Sequence, residues 1–533
     1  MQRFATLLDR LVYSQARNAK LKLLEDYFRA EPDPDRGYAL AALTDGLPIR
    51  LPLRRILAGL VEPFADPVLY QLSRDYVGDT AETVALLWPD RADRGPAPSV
   101  SEVAETLIRT PPNRAPALIA RWLDSLDSTG RFALLKLMTG ALRVGVSARL
   151  AKTALASVGN VDVAEIEEVW HAVSPPYADL FAWIDGKGAK PDPGKTAVFR
   201  PLMLSHPIEE REFEALDPDL FAAEWKWDGI RVQVAATGAE TRLFSRSGDD
   251  ISGAFPDLID AFRGVRGVAD GELLVVKEGE VQPFNDLQQR LNRKTVTAKM
   301  LKSYPAHIRL YDLLFDGEDD VRALSFVERR AKLEMWFEEQ APQRSDLSAL
   351  VTFDSFRHLE EMWAGARAEG IEGLMLKRRD SPYVSGRPRG LWYKWKRAPL
   401  TLDCVLMYAQ RGSGKRSSYY SDYTFGAWRT GEDGTEELVP VGKAYSGFTD
   451  EELLKIDRFV RHNTVERFGP VRAVKPELVL EIAFDAVQAS ARHKSGVAMR
   501  FPRVHRIRWD KPAAEADRLS TLTALIGNQP VRG

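Results

Sequence analysis

The chain has 533 residues, 44% of them hydrophobic and 28% charged, with a formal net charge of −2; this is material for about three or four globular domains. A near-neutral total excludes a polycation, so any nucleic-acid surface has to arise from local clustering of Lys and Arg. The one cysteine, Cys404, excludes an internal disulfide and a Cys-rich zinc site, and the seven histidines form no HExxH pair.

In chain order, residues 1–185 read as helical. Apolar residues recur at three- and four-residue spacing over Phe4–Phe28, Val103–Ile108, Ala117–Leu126 and Phe132–Ala156, with Pro-, Asp- and Gly-rich loops near 31–37 and 88–98. The N-terminus is interrupted by charge every few residues and reads as an amphipathic helix, not a signal peptide. No uncharged apolar run approaches the ~20 residues of a membrane span, so a cytoplasmic, nucleoid-associated protein is expected, and the Ala- and Arg-rich composition suits a bacterium. Gly186–Lys195 reads as a linker. Residues 197–397 mix short β-type runs (Ile230–Ala235, Val268–Val276, Leu374–Lys377) with helices such as Phe326–Gln340, an α+β domain. Residues 398–533 carry aromatic and β-branched strands with Gly-rich turns and one helix near Asp450–Asn463, which predicts a small β-barrel.

The chemistry gathers in the second of these regions. In Glu224-Trp-Lys-Trp-Asp-Gly-Ile-Arg231 an extended backbone puts Glu224, Lys226 and Asp228 on one face and both tryptophans on the other. A lysine between two acids over an apolar floor fits a nucleophile, and equally an ion-paired surface strand. Further on come Leu243-Phe-Ser-Arg-Ser-Gly248, Asp270-Gly-Glu272, Tyr311-Asp-Leu-Leu314, Glu372-Gly-Leu-Met-Leu-Lys377, Trp392-Tyr-Lys-Trp-Lys396 and a basic stretch ending Arg508-Trp-Asp-Lys511. In order and spacing these resemble nucleotidyltransferase motifs I, Ia, III, IIIa, IV, V and VI of ATP-dependent DNA ligases. Leu137–Ser147 resembles a segment of the helical DNA-binding domain of the same enzymes, so the likeness spans nearly the whole chain.

The resemblance implies an all-α DNA-binding domain (1–185), an α+β adenylation domain (197–397) and an OB-fold barrel (398–533). It implies nick sealing in duplex DNA with ATP as cofactor and Mg²⁺ (or Mn²⁺) as metal. Lys226 matches the residue that takes AMP from ATP. Glu224 matches a contact to adenine or ribose, Arg231 and Arg246 contacts to ribose and phosphates. Glu272 and Glu372 match metal ligands, Glu272 also the nucleotide site. Tyr311 stands where the family usually stacks a Phe on adenine. Lys377, Lys394 and Lys396 match cations near the α-phosphate, with Trp395 bulkier than the expected aliphatic residue. Arg387 and Arg389 flank the expected arginine of motif V, which leaves that role open between them. Arg508 and Lys511 match motif VI, which orients the leaving pyrophosphate from a mobile barrel. A monomer encircling DNA, with repair proteins as further candidate partners, follows from the same likeness; repair, replication and recombination are all compatible with it.

Other lysine nucleotidyltransferases, such as RNA ligases and mRNA-capping guanylyltransferases, share K-x-D-G but are not expected to carry the long helical domain. An inactive DNA-binding descendant would be expected to have lost one of Lys226, Glu272, Glu372 or Lys394, and all are present. An NAD-dependent ligase would need four zinc-binding cysteines. The stretch Arg411-Gly-Ser-Gly-Lys-Arg416 lacks Walker-A spacing and reads as a basic hairpin of the barrel.

Overall fold

In the computed structural model the chain divides into two compact units, Arg17–Gly46 with Val146–Arg397, and Met1–Ala16 with Leu47–Gly145 and Ala398–Gly533. The structure describes all residues except 15, 50, 92–93, 141, 209, 292, 294, 366–370, 397–398, 413–419, 432–433, 446, 491–492 and 528–533.

The unit that includes Val146–Arg397 starts with helices Arg17–Ala30, Asp35–Leu43, Ala148–Gly159, Val163–Val169 and Ala178–Ile184. Ser147 and Asp162 cap two of them by accepting backbone N–H groups that a helix start leaves unpaired. Its strands include β1 (Phe221–Trp227), β2 (Ile230–Thr237), β3 (Thr241–Ser245), β4 (Arg266–Lys277), β5 (Ala306–Asp316), β6 (Ile371–Arg378) and β7 (Trp392–Lys396). One sheet has five strands and centres on β7-β6-β1; the other has seven and runs β3-β2-β4-β5 along its main path. All these neighbours are antiparallel. Residues alternate between faces, as a pleated backbone requires. Val232, Val234 and Ala236 of β2 join a core with Phe255, Phe262, Leu333 and Trp336. Ala235 and Phe244 join a second core with Phe199, Leu314 and Trp392. On β1, Phe221, Ala223, Trp225 and Trp227 pack with Leu374, Leu376 and Trp395, which leaves Glu224 and Lys226 on the opposite face.

The other unit opens with helix Gln2–Tyr13 and continues through helices from Leu53–Val61 to Ser128–Thr139. The periodicity over Phe4–Phe28 does not produce one helix. The chain leaves helical geometry at Ser14 (φ −81°, ψ 123°) and resumes at Arg17. Both halves are amphipathic, so the apolar spacing carries across a break that no Gly or Pro marks.

The C-terminal part of this unit is a curled antiparallel sheet. The long strand β8 (Leu400–Arg411) pairs on one side with β9 (Tyr420–Thr430), which pairs with β10 (Glu436–Ala444). On the other side β8 pairs with both β12 (Val471–Val474) and β13 (Val479–Phe484); β11 (Thr464–Phe468) extends β12, and β14 (Arg503–Arg508) extends β13. The sheet bends until β14 approaches β10, enclosing Cys404, Leu406, Tyr423, Phe425, Val441 and Ile482. Helix Asp450–His462, started by a Thr449/Glu452 capping box, plugs this core with Ile456 and Val460. Residues 413–416 of the basic hairpin lie outside the described residues. Among the described residues no helix is long and apolar enough to cross a membrane.

Candidate active site

A cavity of about 320 Å³ lies between the two sheets of the Val146–Arg397 unit, within the range of small-molecule sites. Its walls include Glu224, Lys226, Arg231, Arg246, Glu272, Tyr311, Lys377, Lys394 and Lys396.

The register of three strands explains the convergence. Met375 of β6 pairs with Glu224 of β1 and with Lys394 of β7; directly opposed residues share a face, so all three point into the cavity. Two positions on, Gly373 pairs with Lys226 and with Lys396. A Cβ at Gly373 would lie 2.3 Å from the Trp395 carbonyl oxygen, so the strands close up only around glycine. Between Ile371, opposite Trp227, and Gly373, opposite Lys226, the ladder carries one extra residue, Glu372. A bulge re-aims the side chain it inserts, and here it turns Glu372 toward both lysines. Lys226 Nζ donates to Glu372 Oε2 at 2.6 Å, and Lys396 Nζ donates to Oε1. Gly229 ends the K-x-D-G turn where a Cβ would lie 2.5 Å from the Leu273 carbonyl oxygen and 2.8 Å from Glu272 Cγ. That close approach brings β4, with Glu272, beside Lys226.

Electrostatics divides the cavity. Burial would raise the Glu372 carboxyl, but Lys226 and Lys396 hold it below its ordinary value. The Glu272 carboxyl is pushed up to about 7, by burial first and by Glu372 and Asp228, with Lys226 and Arg231 opposing. Burial lowers the Lys394 pKa, and the nearby cations Lys396, Arg387, Arg246 and Lys226 lower it further. These five side chains thus form one positive cluster, suited to a polyanion such as a nucleotide phosphate chain. Arg387, not Arg389, is among the cations that act most on Lys394.

At the inner end, Lys377 is 1% exposed and pairs with Glu224 at 2.6 Å. Its Nζ lies 4.5 Å from the Tyr311 ring centroid and 4.7 Å from that of Trp392. It therefore sits with Glu224 and Tyr311, while Lys394 and Lys396 sit with Lys226. Arg330 Nη1 approaches Glu224 Oε1 at 3.6 Å, and that oxygen accepts no hydrogen bond among the described residues. Arg231 is committed to protein: it donates to the Met203 carbonyl at 2.6 Å, to Asp270 at 2.7 Å and to the Tyr383 hydroxyl at 3.1 Å. Asp270 and Tyr383 are residues that motif reading missed. The parity of Asp270 and Glu272, which put both on one face of a strand, was the available signal. Arg309 was missed too; it lies 4.1 Å over the Trp227 ring and forms a bidentate pair with Asp346 at 2.8 and 2.6 Å.

In the other unit, Lys511 donates to Asp403 at 2.8 Å, and Arg508 pairs with Asp403 at 3.3 Å and with Asp510 at 2.9 Å. Among the described residues no group of three or more His, Cys, Asp or Glu gathers in a way that could hold a metal. Glu272 and Glu372 are two carboxylates only.

Comparisons with known proteins agree with this picture. The sequence pattern of the ATP dependent DNA ligase domain matches residues 202–396, and that of the ATP dependent DNA ligase C terminal region matches 416–511. A "Probable DNA ligase" of Koribacter versatilis (strain Ellin345) is 36% identical over 421 residues, covering 74% of this chain and 72% of that protein. "DNA ligase 1" of Korarchaeum cryptofilum (strain OPF8) is 30% identical over 562 aligned positions, 99% of this chain and 98% of that protein. The solved structure named Pmar-Lig_PreS3 superposes with a TM-score of 0.58 at 16% identity, over 95% of this chain and 99% of that one, a likeness of fold. With two ligase domains matched and 30% identity along almost its whole length, the chain belongs to the ATP-dependent DNA ligase family.

Proposed function

We propose that this ligase seals nicks in duplex DNA through a covalent AMP on Lys226. The observation that carries the reading is Lys226 itself. Its Nζ is fixed by Glu372 at 2.6 Å, on the floor of a cavity whose cations cluster around it. In the first step Nζ, once deprotonated, attacks the α-phosphorus of ATP. An N–P bond forms, the nitrogen sheds its second proton, the bond to the bridging oxygen breaks, and pyrophosphate leaves with those electrons. Lys394, Lys396, Arg246 and Arg387 neutralise the charge that gathers on the phosphoryl oxygens, the main service such a transfer needs. Next, a 5′-phosphate oxygen of the nick attacks the same phosphorus and the lysine leaves, taking up a proton. Finally the 3′-hydroxyl attacks the 5′-phosphorus, loses its proton, and AMP departs.

At the inner end, the Tyr311 ring offers a stacking face for adenine. Glu224, which lines the same cavity, is the candidate contact to adenine or ribose beside it. For the metal, Glu272 and Glu372 suit Mg²⁺ or Mn²⁺, which take few protein carboxylates and complete their shell with water and phosphate. Burial first, and then the neighbouring acids Glu372 and Asp228, push the Glu272 carboxyl up to about 7, and a divalent cation would offset that cost. When bound, the ion supplies charge neutralisation at the phosphates. The three-domain division at 1–185, 197–397 and 398–533, closure of the barrel to bring Arg508 and Lys511 to the pyrophosphate, and a monomer that encircles DNA belong to the same proposal.

The test is incubation of the purified protein with Mg²⁺ and ATP radiolabelled at the α-phosphorus, denaturing electrophoresis, and a chase with nicked duplex. A labelled band that is lost as nicks are sealed is expected. A band that discharges onto RNA ends and not onto nicked DNA would make this an RNA-directed enzyme. No band at all would sink the lysyl-AMP mechanism.

A further inference from the structure

β3 ends at the cavity, and the turn after it carries Arg246. The turn closes on itself: Gly248 N–H donates to the Ser245 carbonyl at 2.9 Å, and Ser245 N–H to the Asp249 carbonyl at 2.9 Å. Those bonds fix its shape but not where it points. Its direction depends on Phe244, the last buried residue of β3, which lies between two rings. One is Phe199, at 5.8 Å between centroids. The other is His171, at 4.5 Å, which comes from the helical segment Val163–Ala172.

His171 is more than a packing partner. Its own carbonyl accepts from Arg242 Nη1 of β3 at 3.4 Å, and Arg242 is in turn held by Glu240 at 2.7 Å. Burial, then the neighbouring Lys152, lowers the imidazole pKa to about 4, so at neutral pH the ring is uncharged and has one N–H to donate. Lys152 is 4% exposed, 3.6 Å from Glu167, and its ammonium lies 5.2 Å over the Trp170 ring. This buried set anchors His171 to helix Ala148–Gly159.

We infer that His171 is a positioning residue for the adenylation site: its ring packs on Phe244 and its carbonyl holds Arg242, so that the end of β3 keeps Arg246 in the cavity wall. The inference rests on the reading of Arg246 as a contact to the nucleotide phosphates. It makes the helical segment part of the nucleotide site. A displacement of about 1 Å in a phosphate-contacting group can cost on the order of 10²-fold in rate.

Single-turnover self-adenylation tests this in H171A, H171Q, R246A and the H171A/R246A double variant of the full chain. H171A is expected to raise the ATP concentration for half-maximal rate by roughly tenfold, within that bound. H171Q, which has no ring to pack against Phe244, is expected to lose about as much. In the R246A background H171A is expected to add nothing, since the group it positions is gone. Amide hydrogen exchange across residues 245–250 is expected to quicken in H171A. Additive losses in the double variant, or an unchanged ATP dependence in H171A, would overturn the role. If H171A does not fold, H171Q against H171Q/R246A reads the same coupling, and full additivity there overturns it equally. An R246A enzyme with unimpaired adenylation would overturn the reading of Arg246 and this role with it, even where exchange quickens.

Discussion

Strands β1 and β6 each carry one Glu and one Lys into the site, and they pair crosswise. Glu224 of β1 takes Lys377 of β6, and Lys226 of β1 takes Glu372 of β6, both at 2.6 Å. The chemistry is the same, but the surroundings are opposite. The first pair is 3% and 1% exposed, walled by Tyr311, Trp392 and Phe326. The second is 26% and 22% exposed, and its carboxylate is shared with Lys396. A sealed pair cannot lose one partner without stranding a buried charge. An open pair can exchange partners with water or substrate at small cost. One salt bridge therefore reads as a fixed anchor for the cavity and the other as a holder for a reactive amine.

The sharpest break of that comparison is Lys226→Ala. Self-adenylation is expected to fall by at least ~10⁴-fold, as for loss of other covalent nucleophiles, with a melting temperature within a few degrees of the parent. Substantial labelling of the variant would end the assignment. Lys377→Met should act in the reverse sense, costing about 3–5 kcal/mol of stability by leaving buried Glu224 with only the 3.6 Å approach of Arg330. Urea unfolding of the two variants side by side measures the contrast, and equal stability losses would erase it. Glu372→Gln frees both Lys226 and Lys396. Adenylation is expected to drop on the order of 10²-fold through lost orientation, while stability changes by less than about 1 kcal/mol because the pair is open to solvent.

A smaller effect concerns Glu272, whose carboxyl stands at about 7 in the folded chain against an ordinary 4.5. The folded state then keeps a proton that the unfolded chain releases, so this contribution is complete below about pH 4.5 and is lost as pH rises to about 7. In metal-free buffer, Glu272→Gln should stabilise the protein relative to the parent more at pH 8 than at pH 5, by on the order of 1–2 kcal/mol. An equal difference at the two pH values would mean that the carboxyl titrates normally. Lys511→Ala is expected to have the mildest consequence, slowing self-adenylation by roughly tenfold and sealing of a pre-adenylated nick by less. Equal slowing in both assays would remove its link to the pyrophosphate step.

Much of the site was legible in advance because a strand has period two. Glu224 and Lys226 share a face in any extended reading, and so do Lys394 and Lys396. What alternation cannot convey is register. Nothing in Ile371-Glu372-Gly373 announces that the ladder slips there, yet that slip aims Glu372 at two lysines. Nor could motif spacing separate Lys377 from the other cations, since burial beneath three aromatic rings depends on how two sheets meet. Arg387 and Arg389 were equivalent in sequence, and only proximity to Lys394 distinguishes them. The break at Ser14 was hidden because helix periodicity continues on both sides of it.

The order of short motifs along the chain, and the alternation within each, determined the family, the candidate nucleophile and the kinds of side chain around it, because local backbone geometry sets which residues share a face. The tertiary structure alone decided which Glu meets which Lys, which pair is sealed, and that a histidine of the helical segment packs on the strand that leads to Arg246. Those outcomes depend on strand register and on the packing of elements far apart in sequence, and no local pattern encodes either.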